Sequence, residues 1–199
     1  MTDALKIGLL AVIQGVTEFL PVSSSGHLVL AKTLIGLQTP SGPLLEVVLH
    51  AGTLVSICLY YRRRLLGLAQ GLVQRQREAW TFCLSVGFAC IPAIVVYGLL
   101  GDAIEELFSR PQAAAAMLLA TGVALLSLRW APPPSHTATS RHWLAMGLAQ
   151  AVALVPGISR SGATITTGRW LGLKPDEVAE MSFLMVLPLL AGAVLVEIP

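Results

Sequence analysis

Residues 14–27 read QGVTEFLPVSSSGH, and they decide the fold because they interrupt an apolar stretch with polar, glycine and proline residues. The apolar runs before and after this break, residues 4–16 and 26–37, are too short to cross a bilayer, which takes about 20 residues of helix. Broken backbone at membrane depth persists only where protein or a wet cavity satisfies its polar groups. The stretch therefore predicts a re-entrant pair of short helices around a buried polar centre.

A second break, PGISRSG at residues 156–162, lies between short apolar runs at residues 143–155 and 161–173. The chain can be aligned to itself without gaps so that residue 14 falls on residue 150. In this alignment five residues within 14–26 are identical to residues around the second break. The coinciding residues are Gln14, Val16, Ser23, Ser25 and Gly26, which fall on Gln150, Val152, Ser159, Ser161 and Gly162. The chain thus contains an internal repeat, with a re-entrant pair in each copy.

The amino-acid composition indicates a membrane protein. Of its 199 residues 55% are hydrophobic and only 12% are charged, whereas soluble domains carry about 25% charged residues. The apolar content excludes a disordered chain, and a net charge of only +2 excludes a basic nucleic-acid binder. Four stretches are long and apolar enough to be membrane spans, namely residues 44–61, 80–100, 111–128 and 181–196.

The fold predicted from these features is an all-α, polytopic membrane protein with two re-entrant helix-loop-helix pairs and about four transmembrane helices. Three of the predicted spans separate the two breaks, and an odd number of spans inverts the second copy in the membrane. We assign residues 1–199 to a single integral membrane domain, with repeat 1 at 1–130 and an incomplete repeat 2 at 141–199.

The distribution of arginine predicts which side each loop faces. Residues 62–79 contain five arginines and are expected in the cytoplasm. Residues 101–110 contain three acidic residues and are expected outside, and residues 129–142 return to the cytoplasm. The first re-entrant pair therefore enters the membrane from outside and the second from the cytoplasm.

The polar residues of the two breaks form the candidate site, because a charged side chain inside a membrane costs about 2.5–3.5 kcal/mol and is normally paired or functional. Gln14 and Glu18 are four residues apart and share one helix face. Arg160 begins a half-helix, where free N–H groups favour an anion and arginine can grip phosphate with two bonds. Ser24 and His27 add a nucleophile and a proton acceptor. A phosphate ester on a lipid fits such a site.

Structural alternatives stay open for each of these residues. Glu18 and Arg160 could form an ion pair that only joins the two breaks, and His27 could be a satisfied buried imidazole. The serine and glycine runs could serve close helix packing alone, since small residues dominate membrane helix contacts. Glu46 and His50 form a second pair four residues apart, which either faces the same cavity or bonds a neighbour.

The strings at residues 14–27 and 156–164 resemble the two signatures of bacterial undecaprenyl-diphosphatases, the bacitracin-resistance family. The resemblance covers essentially the whole chain and implies a hydrolase of the bacterial cell membrane that converts undecaprenyl diphosphate to undecaprenyl phosphate and phosphate. Such an enzyme recycles the lipid carrier of cell-wall precursors and confers bacitracin resistance, because bacitracin sequesters the diphosphate. Family members usually continue with two more transmembrane helices, so the resemblance implies a missing cavity wall or its replacement through a homo-oligomer.

Residue by residue, the resemblance implies catalytic roles for Glu18, Ser24, His27 and Arg160. It implies substrate-binding roles for Gln14, Ser23, Ser25, Ser159, Ser161 and Thr164. It also implies a divalent metal, Mg²⁺ or Ca²⁺. The family motif has Glu or Gln at position 14, and Gln14 cannot be a charged ligand, so Glu18 is the expected metal ligand. One carboxylate, substrate phosphates and waters can together coordinate Mg²⁺.

Three mechanisms are open at the level of sequence. Ser24 could attack with Glu18 or His27 taking its proton, His27 could attack, or Glu18 could activate water. A rival function is a polyprenyl-phosphate lipid flippase, because inverted repeats more often indicate alternating access than hydrolysis. Phosphate release in detergent separates the two functions, since a flippase has no membrane there to move lipid across.

Overall fold

The computed structural model describes residues 2–37, 44–135 and 137–197. Within those ranges the chain is helical and has no strand, which confirms the all-α prediction. The α-helices are α1 (Asp3–Phe19), α2 (Ser24–Ile35), α3 (Leu44–Tyr60), α4 (Arg62–Val73), α5 (Arg77–Phe108), α6 (Pro111–Ser127), α7 (Ser140–Val152), α8 (Arg160–Trp170) and α9 (Pro175–Glu197).

Three helical segments of the described part are long and apolar enough to cross a membrane: α5, α6 together with the helical turn that follows it to Trp130, and α9. They contain the predicted spans at residues 80–100, 111–128 and 181–196. The remaining predicted span, residues 44–61, corresponds to α3, whose apolar part Val47–Tyr60 is shorter than the other three. The chain is therefore polytopic, and the membrane span at residues 44–61 stays a prediction.

Two segments that the charge pattern predicts as loops are largely helical. Residues 62–79 contain α4, which turns Leu68 and Gly71 into the protein. Residues 101–110 continue α5 as far as Phe108. The discrepancy has a simple cause, because clustered charges mark where a helix leaves the apolar layer and not where its hydrogen bonds end.

Each re-entrant pair consists of two short helices and a break at the predicted place. After α1, Pro21 lies in the break, and Ser23 caps α2 by accepting a hydrogen bond from the N–H of Gly26 at 3.3 Å. After α7, Gly157 has a φ of +95°, a conformation that glycine adopts without strain. Ser159 then caps α8 by accepting a bond from the N–H of Gly162 at 3.0 Å.

The tips of the two breaks pack directly against each other. A Cβ atom on Gly26 would lie 2.8 Å from the Cα of Gly157, and one on Gly162 would lie 2.9 Å from the carbonyl oxygen of Pro21. The repeat alignment pairs Pro21 with Gly157 and Gly26 with Gly162. The two contacts are thus the same contact made from either copy. The repeat boundaries at 1–130 and 141–199 stay a prediction.

A buried core between α5, α7 and α9 supports the second pair. The approach of α7 to α5 is so close that a Cβ on Gly147 would lie 2.4 Å from the carbonyl oxygen of Ala89. The core consists of Val86, Ala89, Trp143, Met146, Leu173, Val178, Met181 and Met185. Because α9 belongs to this core, its side chains facing α8 are held in a fixed position.

Candidate active site

The Glu18 carboxylate is the centre of the site and joins three helices. Its Oε1 accepts a hydrogen bond from Nη2 of Arg160 at 2.9 Å, and its Oε2 accepts one from Nε2 of Gln14 at 3.0 Å. The hydroxyl of Ser24 also donates to Oε2. The Glu18 side chain is only 10% exposed. The ion pair that the sequence left open is therefore formed, and it brings the two breaks together.

Ser24 is the first residue of α2, and the backbone just before it is unusual. Its neighbour Ser23 has a φ of +67°, in the left-handed region that residues other than glycine seldom adopt. Such strained residues cost about 1–3 kcal/mol and cluster at active sites. Here the left-handed residue ends the break and starts the helix with the Ser24 hydroxyl on Glu18.

His27 lies one turn further along α2 and bonds to the backbone. Its Nδ1 is 2.7 Å from the carbonyl oxygen of Ser23. Because a carbonyl oxygen can only accept, Nδ1 carries a proton, and the neutral ring then has an unprotonated Nε2. Of the two bases considered for Ser24, the structure brings Glu18 into contact with its hydroxyl.

Arg160 is the first residue of α8, and the repeat alignment places Ser24 at the equivalent position of the first copy. The two copies of the repeat thus present a hydroxyl and a cation, from equivalent positions, to the same Glu18 carboxylate. The second terminal nitrogen of Arg160, Nη1, donates to the carbonyl oxygen of Ser182 on α9 at 3.2 Å. The Arg160 side chain is 14% exposed, so the guanidinium is held on both edges within the protein.

The hydroxyls next to each cap form equivalent pairs. The Oγ atoms of Ser23 and Ser25 are 3.3 Å apart, and those of Ser159 and Ser161 are also 3.3 Å apart. In each pair the capping serine also accepts a bond from a backbone N–H. One hydroxyl donates to the other, so each pair keeps a proton that it can donate elsewhere.

The structure adds two hydroxyl residues that the sequence analysis did not single out. Thr121 on α6 donates to the carbonyl oxygen of Gly157 at 2.8 Å and accepts a bond from the N–H of Ser159 at 3.0 Å. Ser182 on α9 is fully buried. In both cases the sequence signal that could have identified the residue is a hydroxyl inside an otherwise apolar span.

Thr164 lies one helix turn after Arg160 on α8. It is fully buried, and its hydroxyl donates to the carbonyl oxygen of Arg160 at 2.9 Å and pairs with Oγ of Ser182 at 2.7 Å. A direct contact between Thr164 and substrate stays a prediction. The observed bonds connect Thr164 to the position of Arg160.

One member of the second acidic–histidine pair reaches this site. His50 on α3 interacts electrostatically with Glu18. The side chain of Glu46 lies outside the described residues. Of the two alternatives left open for this pair, the same cavity or a bond to a neighbour, the interaction with Glu18 favours the first for His50.

The residues present can accept a divalent cation, although they do not form a dense ligand cluster. No group of three or more His, Cys, Asp or Glu side chains suited to a metal occurs among the described residues. Gln14, whose Nε2 bonds to Glu18, has however a buried Oε1 without a hydrogen-bond partner. Carboxylate and amide oxygens are ligands that Mg²⁺ and Ca²⁺ accept. Glu18 and Gln14 thus fit as two oxygen ligands, with the others coming from phosphate and water.

Comparison with known proteins identifies the relatives of this chain. Residues 7–199 match the family model described as bacitracin resistance protein BacA. A protein of Salinibacter ruber named undecaprenyl-diphosphatase is 40% identical over 208 residues, which cover 98% of this chain and 76% of that protein. A Trichlorobacter lovleyi protein of the same name is 42% identical, with 98% and 75% covered. Undecaprenyl-diphosphatase 3 of Acinetobacter baylyi is 36% identical, with 96% and 74% covered.

Proposed function

This chain belongs to the bacitracin resistance protein BacA family, and we propose that it is an undecaprenyl-diphosphatase. It hydrolyses undecaprenyl diphosphate to undecaprenyl phosphate and inorganic phosphate. The reaction recycles the lipid carrier for cell-wall synthesis and confers bacitracin resistance. Its apolar helices make it a membrane protein, and the lipid substrate and the cell wall it serves support a multi-pass location in the bacterial plasma membrane.

One observation carries the proposed mechanism: Glu18 is bonded to Ser24 on one side and to Arg160 on the other. A hydroxyl that donates to a buried carboxylate is a nucleophile in contact with its base. A guanidinium beside that pair supplies the positive charge that a diphosphate needs. The nucleophile Ser24 and the cation Arg160 therefore both bind the base Glu18, which brings together the three groups that phosphoryl transfer requires.

The diphosphate binds where the two half-helices begin. Arg160 offers paired N–H donors to phosphate oxygens, and the N-terminus of α8 adds the positive end of the helix dipole. The remaining proton of each serine pair, Ser23–Ser25 and Ser159–Ser161, donates to the phosphate oxygens. Because phosphate competes with Glu18 for the guanidinium, substrate binding loosens the ion pair and frees the carboxylate to accept a proton.

The chemical step is an in-line transfer to Ser24. The Ser24 proton passes to Glu18 as the bond from Oγ to the terminal phosphorus forms. The bond from that phosphorus to the bridging oxygen breaks, and undecaprenyl phosphate leaves with the electron pair. Water then attacks the phosphoserine, inorganic phosphate leaves, and Oγ recovers a proton. Glu18 finally releases one proton to solvent, which balances the hydrolysis.

We propose that Glu18 and Gln14 would hold Mg²⁺ or Ca²⁺ through their side-chain oxygens. When bound, the cation neutralises phosphate charge that Arg160 alone does not. The support for this proposal is the buried, unpartnered Oε1 of Gln14, whose amide nitrogen Nε2 donates to the Glu18 carboxylate.

Release of phosphate from undecaprenyl diphosphate in detergent tests the function. We expect turnover by the wild type, a strong reduction in the presence of a chelator, and a loss of activity in Arg160→Ala. Arg110→Ala is the matched control, because Arg110 is exposed and pairs with Glu106 at the end of α5. Absence of phosphate release by the wild type would contradict the hydrolase and favour the flippase.

A further inference from the structure

Helix α9 binds the guanidinium of Arg160 through a backbone carbonyl. Its Nη1 donates to the carbonyl oxygen of Ser182, while its Nη2 donates to Glu18. The same Ser182 contacts α8 a second time, because its Oγ is 2.7 Å from Oγ1 of Thr164. One residue of α9 therefore contacts both the side chain of Arg160 and the helix turn that carries it.

The Thr164 hydroxyl lies between backbone carbonyls of α8 and the hydroxyl of Ser182. Its Oγ1 is 2.9 Å from the carbonyl oxygen of Arg160, 3.2 Å from that of Ser161 and 2.7 Å from Oγ of Ser182. Because a carbonyl oxygen can only accept, a Thr164 hydroxyl that donates its single proton to the Arg160 carbonyl accepts from Ser182, which gives the order Ser182, Thr164 and the Arg160 carbonyl. Ser182 and Thr164 are both fully buried, and water cannot replace a lost hydroxyl without new space.

The hydroxyl relay from Ser182 through Thr164 to the Arg160 carbonyl lies, within the described residues, in the copy of the repeat that carries the cation. The repeat alignment pairs Thr164 with Leu28, which has no hydroxyl. The equivalent of Arg160 in the first copy is Ser24, which is short and needs no support for a long side chain. The relay and the arginine therefore occur together.

We propose that Ser182 is a positioning residue for Arg160, a role that rests on the proposed function. The relay fixes α8 against α9, and the Ser182 carbonyl fixes one edge of the guanidinium. The other edge then faces Glu18 and an incoming phosphate before substrate arrives. A long arginine side chain loses much rotational freedom on binding, so its prior orientation favours both binding of the anion and the transition state.

Ser182→Ala tests this role because it removes the hydroxyl and keeps the backbone carbonyl. We expect kcat/KM for undecaprenyl diphosphate to fall about tenfold, as for loss of a buried hydrogen bond. We also expect calorimetry to show about tenfold weaker binding of inorganic pyrophosphate, a probe that requires no turnover. Thr164→Val should have the same effects, whereas Thr164→Ser keeps the hydroxyl and should recover most of what Thr164→Val loses.

A double-mutant cycle separates positioning from general destabilisation. If Ser182 acts through the Arg160 guanidinium, Ser182→Ala should change both readouts by less than about twofold when Arg160→Lys is already present. Ser56→Ala, which deletes a serine hydroxyl bonded to Gly52 within its own helix, should leave both readouts unchanged.

The proposal would be overturned if Ser182→Ala lowered kcat/KM and pyrophosphate affinity equally in the wild type and in the Arg160→Lys background. It would also be overturned if pyrophosphate binding were unaltered in Ser182→Ala and Thr164→Val. Failure of the wild type to bind pyrophosphate would also overturn it. Failure of the wild type to release phosphate would instead reject the proposed function, and the pyrophosphate cycle would still decide the role of Ser182.

Discussion

Glu18→Gln gives the most informative perturbation of the site, because it removes one charge and keeps the shape. The structure joins Nη2 of Arg160 to Oε1 of Glu18 at 2.9 Å, with side chains only 14% and 10% exposed. At that separation and an effective dielectric constant of about 20, two unit charges attract by about 6 kcal/mol. Desolvation offsets part of this attraction, but the single substitution leaves Arg160 buried without its counterion. We therefore expect a loss of about 3–5 kcal/mol in the free energy of unfolding.

A second substitution distinguishes the charge from the shape. In the double variant Glu18→Gln with Arg160→Gln, no uncompensated charge is left, so we expect stability to return to within about 1–2 kcal/mol of wild type. Catalysis should not return, because both the proton acceptor and the cation are gone. Loss of a general base alone reduces turnover by about 10²–10⁴-fold. The double variant should therefore recover the free energy of unfolding without recovering activity.

Unfolding in mixed detergent micelles provides the assay, with the buried Trp143 as one of the fluorescent reporters. Glu106→Gln is the matched control, because its partner Arg110 is one turn away and both side chains are more than half exposed, at 59% and 63%. That exposed pair should contribute less than about 1 kcal/mol. If Glu18→Gln costs no more than Glu106→Gln, the buried ion pair does not hold the breaks together and the reasoning fails.

Three further predictions concern the surroundings of the pair. Gly157→Ala should lower the free energy of unfolding by about 2–4 kcal/mol, because the φ of Gly157 is +95° and a Cβ would lie 2.3 Å from the Ala114 carbonyl oxygen; an unfolding titration equal to wild type would contradict this. Thr121→Val should cost about 1–3 kcal/mol by leaving the buried N–H of Ser159 without its acceptor, while Thr33→Val, whose hydroxyl bonds to Val29 within its helix, should change little. Gln14→Glu adds a second carboxylate beside Glu18 and should raise Ca²⁺ affinity about tenfold in calorimetry without substrate; an unchanged affinity would remove Gln14 from the proposed cation site.

The sequence predicted the parts of the molecule that depend on local rules. Proline, glycine and serine located both breaks, and the expense of charge in a membrane predicted that Glu18 and Arg160 would pair or act. The charge pattern failed for α4 and for the end of α5, because arginines and glutamates at a membrane boundary do not interrupt a helix.

The contacts that depend on packing were not predictable from the sequence. Ser182 and Thr121 are single hydroxyls inside apolar helices, and their partners lie on α8 and in the break before it, at distant positions in the sequence. The choice between Glu18 and His27 as the partner of Ser24 also needed the structure, since both lie within a few residues of it in sequence. The structure decides that choice, because the Ser24 hydroxyl donates to Oε2 of Glu18.

The identity of the phosphorylated residue tests the central claim most directly. Undecaprenyl diphosphate labelled in its terminal phosphate is mixed with the enzyme and quenched within one turnover, and the labelled peptide is mapped. The account predicts label on Ser24 in the wild type and none in Ser24→Ala, which should also lack activity. Label on His27, or turnover without any labelled residue, would contradict attack by Ser24.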